Sequence, residues 1–121
     1  ISYGDTDEFA HEGTYNHYLD AVHRVDAWIA EIWNFVNTDP EYKGKTTLLF
    51  TTDHGRGDAI KSEWTSHGEK VKDCHEIWYA MLGANVPALG EVKKAEQVYQ
   101  KELIHKVAAT MGKTFSSQKR E

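Results

Sequence analysis

An acid–imidazole doublet at the end of an apolar run is the feature of this chain with the clearest chemical potential. Asp53 and His54 directly follow the apolar run at residues 46–52 and precede Gly55. The β-branched and aromatic residues of the run favour a strand, and the glycine marks a turn. A carboxylate and an imidazole at the carboxyl end of a strand are suited to bind a metal ion. Asp53 could equally cap the next element, with His54 an exposed loop residue.

Two further segments offer the same kinds of ligand. Asp7 and His11 are four residues apart, so a helical turn would place both side chains on one face, where they could bind one cation. His67 is followed by Gly68 in a turn-rich stretch. Each segment alone is weak support, because an Asp and a His at this spacing are more often a surface ion pair. The three segments together predict a metal centre.

With these motifs in this order, the sequence resembles the alkaline phosphatase superfamily, which includes alkaline phosphatases, sulfatases, nucleotide phosphodiesterases and cofactor-independent phosphoglycerate mutases. The resemblance rests on the Asp-x-x-x-His pair, the Asp-His-Gly triplet that ends the strand and the later His-Gly pair. The apolar stretch at residues 76–83 also resembles the strand after the last histidine in that family. The likeness therefore extends from residue 1 to about residue 91.

The resemblance implies a role for each candidate ligand. Asp7, His11 and His67 would bind one metal ion. Asp53 and His54 would help to bind a second ion. In the family, the second ion is also bound by an Asp near the amino terminus and by a Ser or Thr nucleophile, and neither can be assigned in this chain.

The resemblance therefore predicts an incomplete domain with two cofactor ions. Residues 1–115 are expected to be the carboxyl-terminal portion of an alkaline-phosphatase-like catalytic domain, and residues 116–121 a polar tail. The nucleophile is expected in an upstream segment. Two divalent cations are the expected cofactors, with zinc favoured by the mixture of imidazole and carboxylate ligands and manganese as the alternative. Such a pair stabilises the attacking and leaving oxygens of an in-line displacement.

The implied activity is metal-dependent hydrolysis or transfer of a small phosphate or sulfate ester. Arg56 follows the Asp-His-Gly triplet and could contact a substrate oxyanion, because a guanidinium group matches phosphate and sulfate geometry. Two alternatives remain open. The chain could be a metal-binding or structural α/β domain without catalysis, or an α/β interaction module whose histidines are incidental.

Charge and hydropathy limit the partners that the chain can be expected to have. The 121 residues carry a formal net charge of -5, which argues against nucleic acid, because phosphate backbones attract basic surfaces. A run of about 18 apolar residues is lacking, so no membrane partner is expected. An incomplete sheet leaves a strand edge unpaired. We therefore expect association with the missing amino-terminal part of the same domain, or self-association.

The periodicity of apolar residues predicts the elements that position these motifs. The expected elements are a strand end at 1–3, helices at 14–37 and 93–111, strands at 46–52 and 77–82, and a long loop at 53–73. The continuous apolar run of the second strand indicates burial on both faces. Alternating helices and strands predict an α/β class, with a partial layered α/β/α fold around a mostly parallel sheet.

Overall fold

Two helices, a two-strand sheet and a carboxyl-terminal helix make up most of the regular structure. A computed structural model describes residues 1–93 and 96–116. In chain order the elements are α1 (Asp5–Glu12), α2 (Tyr15–Thr38), β1 (Thr47–Thr51), α3 (Lys61–Trp64), β2 (Tyr79–Gly83), a 3₁₀ turn (Gln100–Glu102) and α4 (Leu103–Thr110). The predicted α/β class is confirmed.

The first metal motif lies on a helix that packs against α2. The α1 helix ends at Gly13, whose φ of 71° lies in the left-handed region that glycine enters without steric cost. The chain then reverses into α2, which agrees closely with the helix predicted at 14–37. Ala10 of α1 and Ala21 of α2 are both buried. Their small side chains allow the two helix backbones to lie close together.

The strands pair antiparallel, so the prediction of a mostly parallel sheet is not confirmed. Thr47 of β1 pairs with Gly83 of β2, and Thr51 pairs with Tyr79. A parallel pair would need a crossover connection, usually through a helix, to return the chain to the same end of the sheet. Between these strands the only helix is the four-residue α3. The chain therefore runs back along β1 in the opposite direction.

Three other expectations about the elements were wrong in their bounds or burial. Residues 1–3 have no regular structure, and β2 begins at Tyr79 with this residue and Leu82 exposed instead of being buried on both faces. The predicted helix at 93–111 begins late, because the Glu102 carboxylate accepts a 2.6 Å hydrogen bond from the Tyr99 backbone N–H at the start of the 3₁₀ turn. Residues 94–95 of that helix and 117–121 of the predicted tail lie outside the described residues.

The buried core is small for a chain of this length. Among the described residues, the buried apolar side chains are Ala10, Ala21, Val36, Cys74 and Leu103. Large apolar side chains remain exposed along α2, namely Leu19, Val22, Trp28, Trp33 and Phe35. Large apolar side chains left exposed in this number mark surface that can pack against another protein segment. Within the described part of the chain, none of the helices combines the length and the apolar character needed to cross a membrane.

Candidate metal centre

Three segments that are distant in sequence converge on the Asp7 carboxylate. Asp7 and His11 lie on α1, His54 lies in the turn that follows β1, and His67 lies in the loop that follows α3. The spacing of four residues places Asp7 and His11 on one helix face, as predicted. The segments therefore meet around one carboxylate.

The donor atoms of these four residues lie 3 to 4 Å apart. His11 Nε2 is 3.4 Å from Asp7 Oδ2 and 3.1 Å from His67 Nε2. His54 Nε2 is 3.5 Å from Asp7 Oδ1, and His67 Nε2 is 3.9 Å from the same oxygen. The structure therefore brings four of the five candidate ligands into one cluster, which we call the Asp7 cluster (Asp7, His11, His54, His67).

Asp53, the fifth candidate, adjoins the cluster only through its neighbour. Its Oδ1 lies 3.8 Å from His54 Nε2 and accepts a 3.1 Å hydrogen bond from the His54 backbone N–H. Its side chain is 88% exposed. Asp53 thus presents a carboxylate to solvent at the His54 edge of the cluster.

The hydrogen bond of His54 assigns its tautomer. Nδ1 lies 3.0 Å from the Gly55 carbonyl oxygen, which can only accept a hydrogen bond. Nδ1 therefore carries the hydrogen of the neutral ring, and the Nε2 lone pair is directed towards Asp7. Metal-binding histidines are commonly held in this way, with the second ring nitrogen donating to a carbonyl or carboxylate.

The donor set of the cluster fits a divalent cation. The His54 lone pair and the Asp7 oxygen face each other without a hydrogen between them in the neutral state, which is unfavourable unless a positive charge lies nearby. Nitrogen and oxygen ligands lie about 2.0 to 2.2 Å from zinc, so neighbouring ligand atoms of a tetrahedral site are roughly 3.3 Å apart. The observed separations of 3.1 to 3.9 Å are close to that spacing.

Ring orientation separates the histidines into two groups. Asp7, His54 and His67 each offer a ligand atom within 4.8 Å of the others, so proximity alone would group them around one ion. However, the rings of His54 and His67 are stacked, with centroids 3.8 Å apart and planes inclined by 15°. An imidazole lone pair lies in the ring plane, so one ion cannot lie in the plane of both stacked rings. His67 is instead directed towards His11.

Arg56 contributes a positive charge to the cluster. Its Nη2 donates to Asp7 Oδ1 and, at 3.4 Å, to the Asp7 carbonyl oxygen, while Nη1 donates to the Trp64 carbonyl at 3.2 Å. The side chain is only 15% exposed. Burial lowers the pKa of Arg56, but a guanidinium group remains charged in proteins. Arg56 therefore connects α1 to the α3 segment and partly neutralises Asp7.

Cys74 and Gly55 bring the two histidine-bearing turns together. The Cys74 thiol donates to the Gly55 carbonyl at 3.2 Å and accepts from the Gly68 backbone N–H at 2.9 Å. The Gly55 N–H in turn donates to the Cys74 carbonyl at 2.7 Å. His54 precedes one of these glycines and His67 precedes the other. The buried thiol thus sets the separation of the two imidazoles, a role that no local sequence pattern indicates.

Comparison with known proteins gives an independent result. A family model described as the metalloenzyme superfamily matches residues 1–119. The human protein GPI ethanolamine phosphate transferase 1 is 38% identical to the chain over 64 residues. That match covers 53% of this chain and 6% of the human protein, so the chain spans a small part of its relative's length. No solved structure matches the chain.

We expect Gly55→Ala to disturb the turn that presents His54. A Cβ atom at this position would lie 2.6 Å from the Asp73 carbonyl oxygen and 2.7 Å from that of Glu76, so the backbone would have to shift. The expected loss is about 1–3 kcal/mol of unfolding free energy, measured by denaturant titration, together with weaker zinc binding. Gly4→Ala is the control, because its Cβ would meet no atom within 4 Å. Equal stability of the two variants would contradict the expectation.

The His67 ring predicts how stability depends on pH. Desolvation lowers the pKa of His67, electrostatic repulsion from the neighbouring His54, Arg56 and His11 lowers it further, and Asp53 has the opposite effect. The unfolded chain therefore binds this proton more readily than the folded chain. Stability from the neutral ring is present above about pH 6.5 and is lost as the pH falls below that value.

Denaturant titrations of the metal-free protein at a series of pH values would measure this effect. The unfolding free energy should fall as the pH drops below about 6.5, and the slope should be smaller in His67→Gln. Zinc affinity should fall in the same direction, because a ligating imidazole must be deprotonated. An identical pH slope in the variant would show that His67 does not cause it.

Proposed function

The chain belongs to the metalloenzyme superfamily, the alkaline phosphatase-like group that its motifs resemble, and we propose that it supplies metal ligands to an enzyme that hydrolyses or transfers phosphate or sulfate esters. Membership of this family implies the use of a divalent metal. The number of ions, the identity of the metal and the reaction are part of the proposal. The observation that carries the proposal is the Asp7 cluster, in which four side chains from three segments present metal-binding atoms 3.1 to 3.9 Å apart.

We assign the ligands to two ions by the directions of the rings. Asp7 Oδ2, His11 and His67 would bind the first ion, since these atoms face one another. His54 and Asp53 would help to bind the second, since His54 is stacked on His67 and cannot share its ion. This division agrees with the roles implied by the resemblance. Zinc is the favoured metal because three imidazoles and carboxylate oxygens make a mixed donor set.

The residues of the chain bind and orient the reacting group in this proposal. Two divalent cations would supply positive charge to the attacking and leaving oxygens of the transferred group. Asp7 holds the two groups of ligands together, because Oδ2 faces His11 and Oδ1 faces His54. Arg56 places a third positive charge beside them. A guanidinium group in this position can also orient an anionic oxygen of the ester.

We further propose that the Ser or Thr nucleophile and the remaining carboxylate ligand come from another part of a larger catalytic domain. The small core and the exposed apolar side chains of α2 support this, because burial of such side chains against a partner is favourable. Self-association would cover the same side chains. The human relative spans far more sequence than this chain, which is consistent with further segments.

Of the two proposed substrate classes, we favour phosphate esters over sulfate esters. The name of the human relative describes transfer of an ethanolamine phosphate group, and 38% of the aligned residues are identical. Hydrolysis and transfer share the same metal chemistry and differ in whether water or another hydroxyl group accepts the phosphoryl group. Both reactions therefore remain within the proposal.

The two-ion assignment predicts that two histidine variants each keep only one ion. We expect the full-length protein to bind two zinc ions per chain, and His54→Gln and His67→Gln each to lose one of them. Equilibrium dialysis followed by elemental analysis would measure the ratio, and turnover of phosphate and sulfate monoesters would be measured on the same samples. His23→Gln, an exposed histidine on α2, is the matched control.

The results separate the proposed function from its alternatives. Two ions with turnover of an ester support it. Bound metal without turnover of any phosphate or sulfate ester would favour a non-catalytic metal-binding domain. Failure of the full-length protein to bind zinc or manganese would overturn both readings.

Arg56→Ala is expected to separate catalysis from metal binding. The variant loses a charged hydrogen-bond donor to the ester, so turnover should fall roughly tenfold to a hundredfold. Zinc affinity should be unchanged or higher, because a positive charge that competes for Asp7 Oδ1 has been removed. Steady-state kinetics and zinc titration would measure the two effects. Unchanged turnover would exclude a contact between Arg56 and the substrate.

A further inference from the structure

An open cleft with aromatic walls adjoins the Asp7 cluster. Its volume is about 690 Å³, within the range of small-molecule sites. Tyr15 and Tyr18 of α2 and Trp64 of α3 line it, and Arg56 and Asp58 add one charge of each sign. Arg56 belongs to both places, because the same side chain lines the cleft and donates to Asp7 in the cluster.

The aromatic rings that line the cleft pack against one another. The Tyr15 ring lies edge-to-face with Trp64 at a centroid distance of 5.5 Å, and it stacks with Tyr18 at 5.9 Å. Arg56 holds the Trp64 backbone through its hydrogen bond to the carbonyl oxygen. Tyr15 is 54% exposed, so ring surface remains available for a further aromatic contact. Offset or edge-to-face contacts with a flat ligand would use this surface.

The walls of the cleft are continuous in sequence with the walls of the cluster. At three places along the chain, a residue of the cluster lies two to four positions from a residue that lines the cleft. The pairs are His11 with Tyr15, His54 with Arg56, and His67 with Trp64. A group bound at the cluster and a group bound in the cleft would therefore be neighbours, with Arg56 between them.

We propose, on the basis of the proposed function, that the cleft binds a flat aromatic ring in the alcohol part of the ester whose phosphate lies at the metal centre. Arg56 lies at the boundary, where the phosphate and the ring would meet. Asp58 disfavours a second anionic group in the cleft, so the ring is neutral or positively charged. The preferred substrates are aryl-bearing phosphate esters, in which both parts bind at once.

A matched pair of esters tests this assignment in the full-length zinc-loaded protein. Benzyl phosphate and cyclohexylmethyl phosphate have similar size and alcohols of similar acidity, but only the first has an aromatic face. The expected kcat/KM is about threefold to tenfold higher for benzyl phosphate, and Trp64→Leu and Tyr15→Leu should each reduce that preference towards equality. Calorimetric titration with benzylphosphonate, which cannot be hydrolysed, gives a readout that does not depend on turnover.

The control and the outcomes distinguish this inference from the proposed function. Tyr99→Leu changes an exposed tyrosine outside the cleft and should leave the preference unchanged. Equal turnover of the two esters, or a preference that survives both cleft variants, would overturn the ring site while the proposed function stands. Benzylphosphonate binding that weakens in both cleft variants, without turnover of either ester, would overturn the proposed function and retain the ring site. If Trp64→Leu does not fold, the exposed Tyr15 variant decides the question.

Discussion

The site depends on one electrostatic constraint, which is that several electron-rich atoms lie close together around Asp7. The carboxylate has imidazole nitrogens of His11, His54 and His67 within 4 Å, and the tautomer of His54 directs a lone pair at it. Such an arrangement is favourable only when positive charge lies among the atoms. Arg56 supplies part of that charge through its ion pair with Asp7. The remaining need for positive charge is the physical reason for assigning divalent cations to this position.

The tight packing of two turns makes this arrangement possible. Gly55 lies so close to the carbonyl oxygens of Asp73 and Glu76, on either side of Cys74, that no side chain fits there, and the Cys74 thiol bridges this turn to Gly68. These contacts place the His54 and His67 rings in a stack, with centroids 3.8 Å apart. The aromatic cleft is attached to the same segments, so the geometry of the centre and that of the cleft are not independent.

Local patterns predicted the parts of the structure that depend on nearby residues. The spacing of Asp7 and His11, the apolar periodicity of α2 and the β-branched run of β1 are all satisfied within single segments. The resemblance pointed to the five candidate ligands and assigned His54 and His67 to different ions, but the stacking of their two rings was not predictable from the sequence. Strand direction was not predictable in the same way, because it depends on how β1 and β2, far apart in sequence, pair across the connection between them. Arg56 and Asp7 are 49 residues apart in sequence, so local sequence patterns could not predict their contact either.

The wide sequence separation of the ligands has a topological consequence. His11 and His67 are 56 residues apart, yet their ring nitrogens lie 3.1 Å from each other. An ion held by both would act as a cross-link that closes nearly half of this polypeptide into a loop, and the entropy cost of loop closure grows with the length enclosed. Binding of the metal would then also hold α1 against the loop that carries His67. The ion would therefore stabilise the fold as well as take part in the reaction.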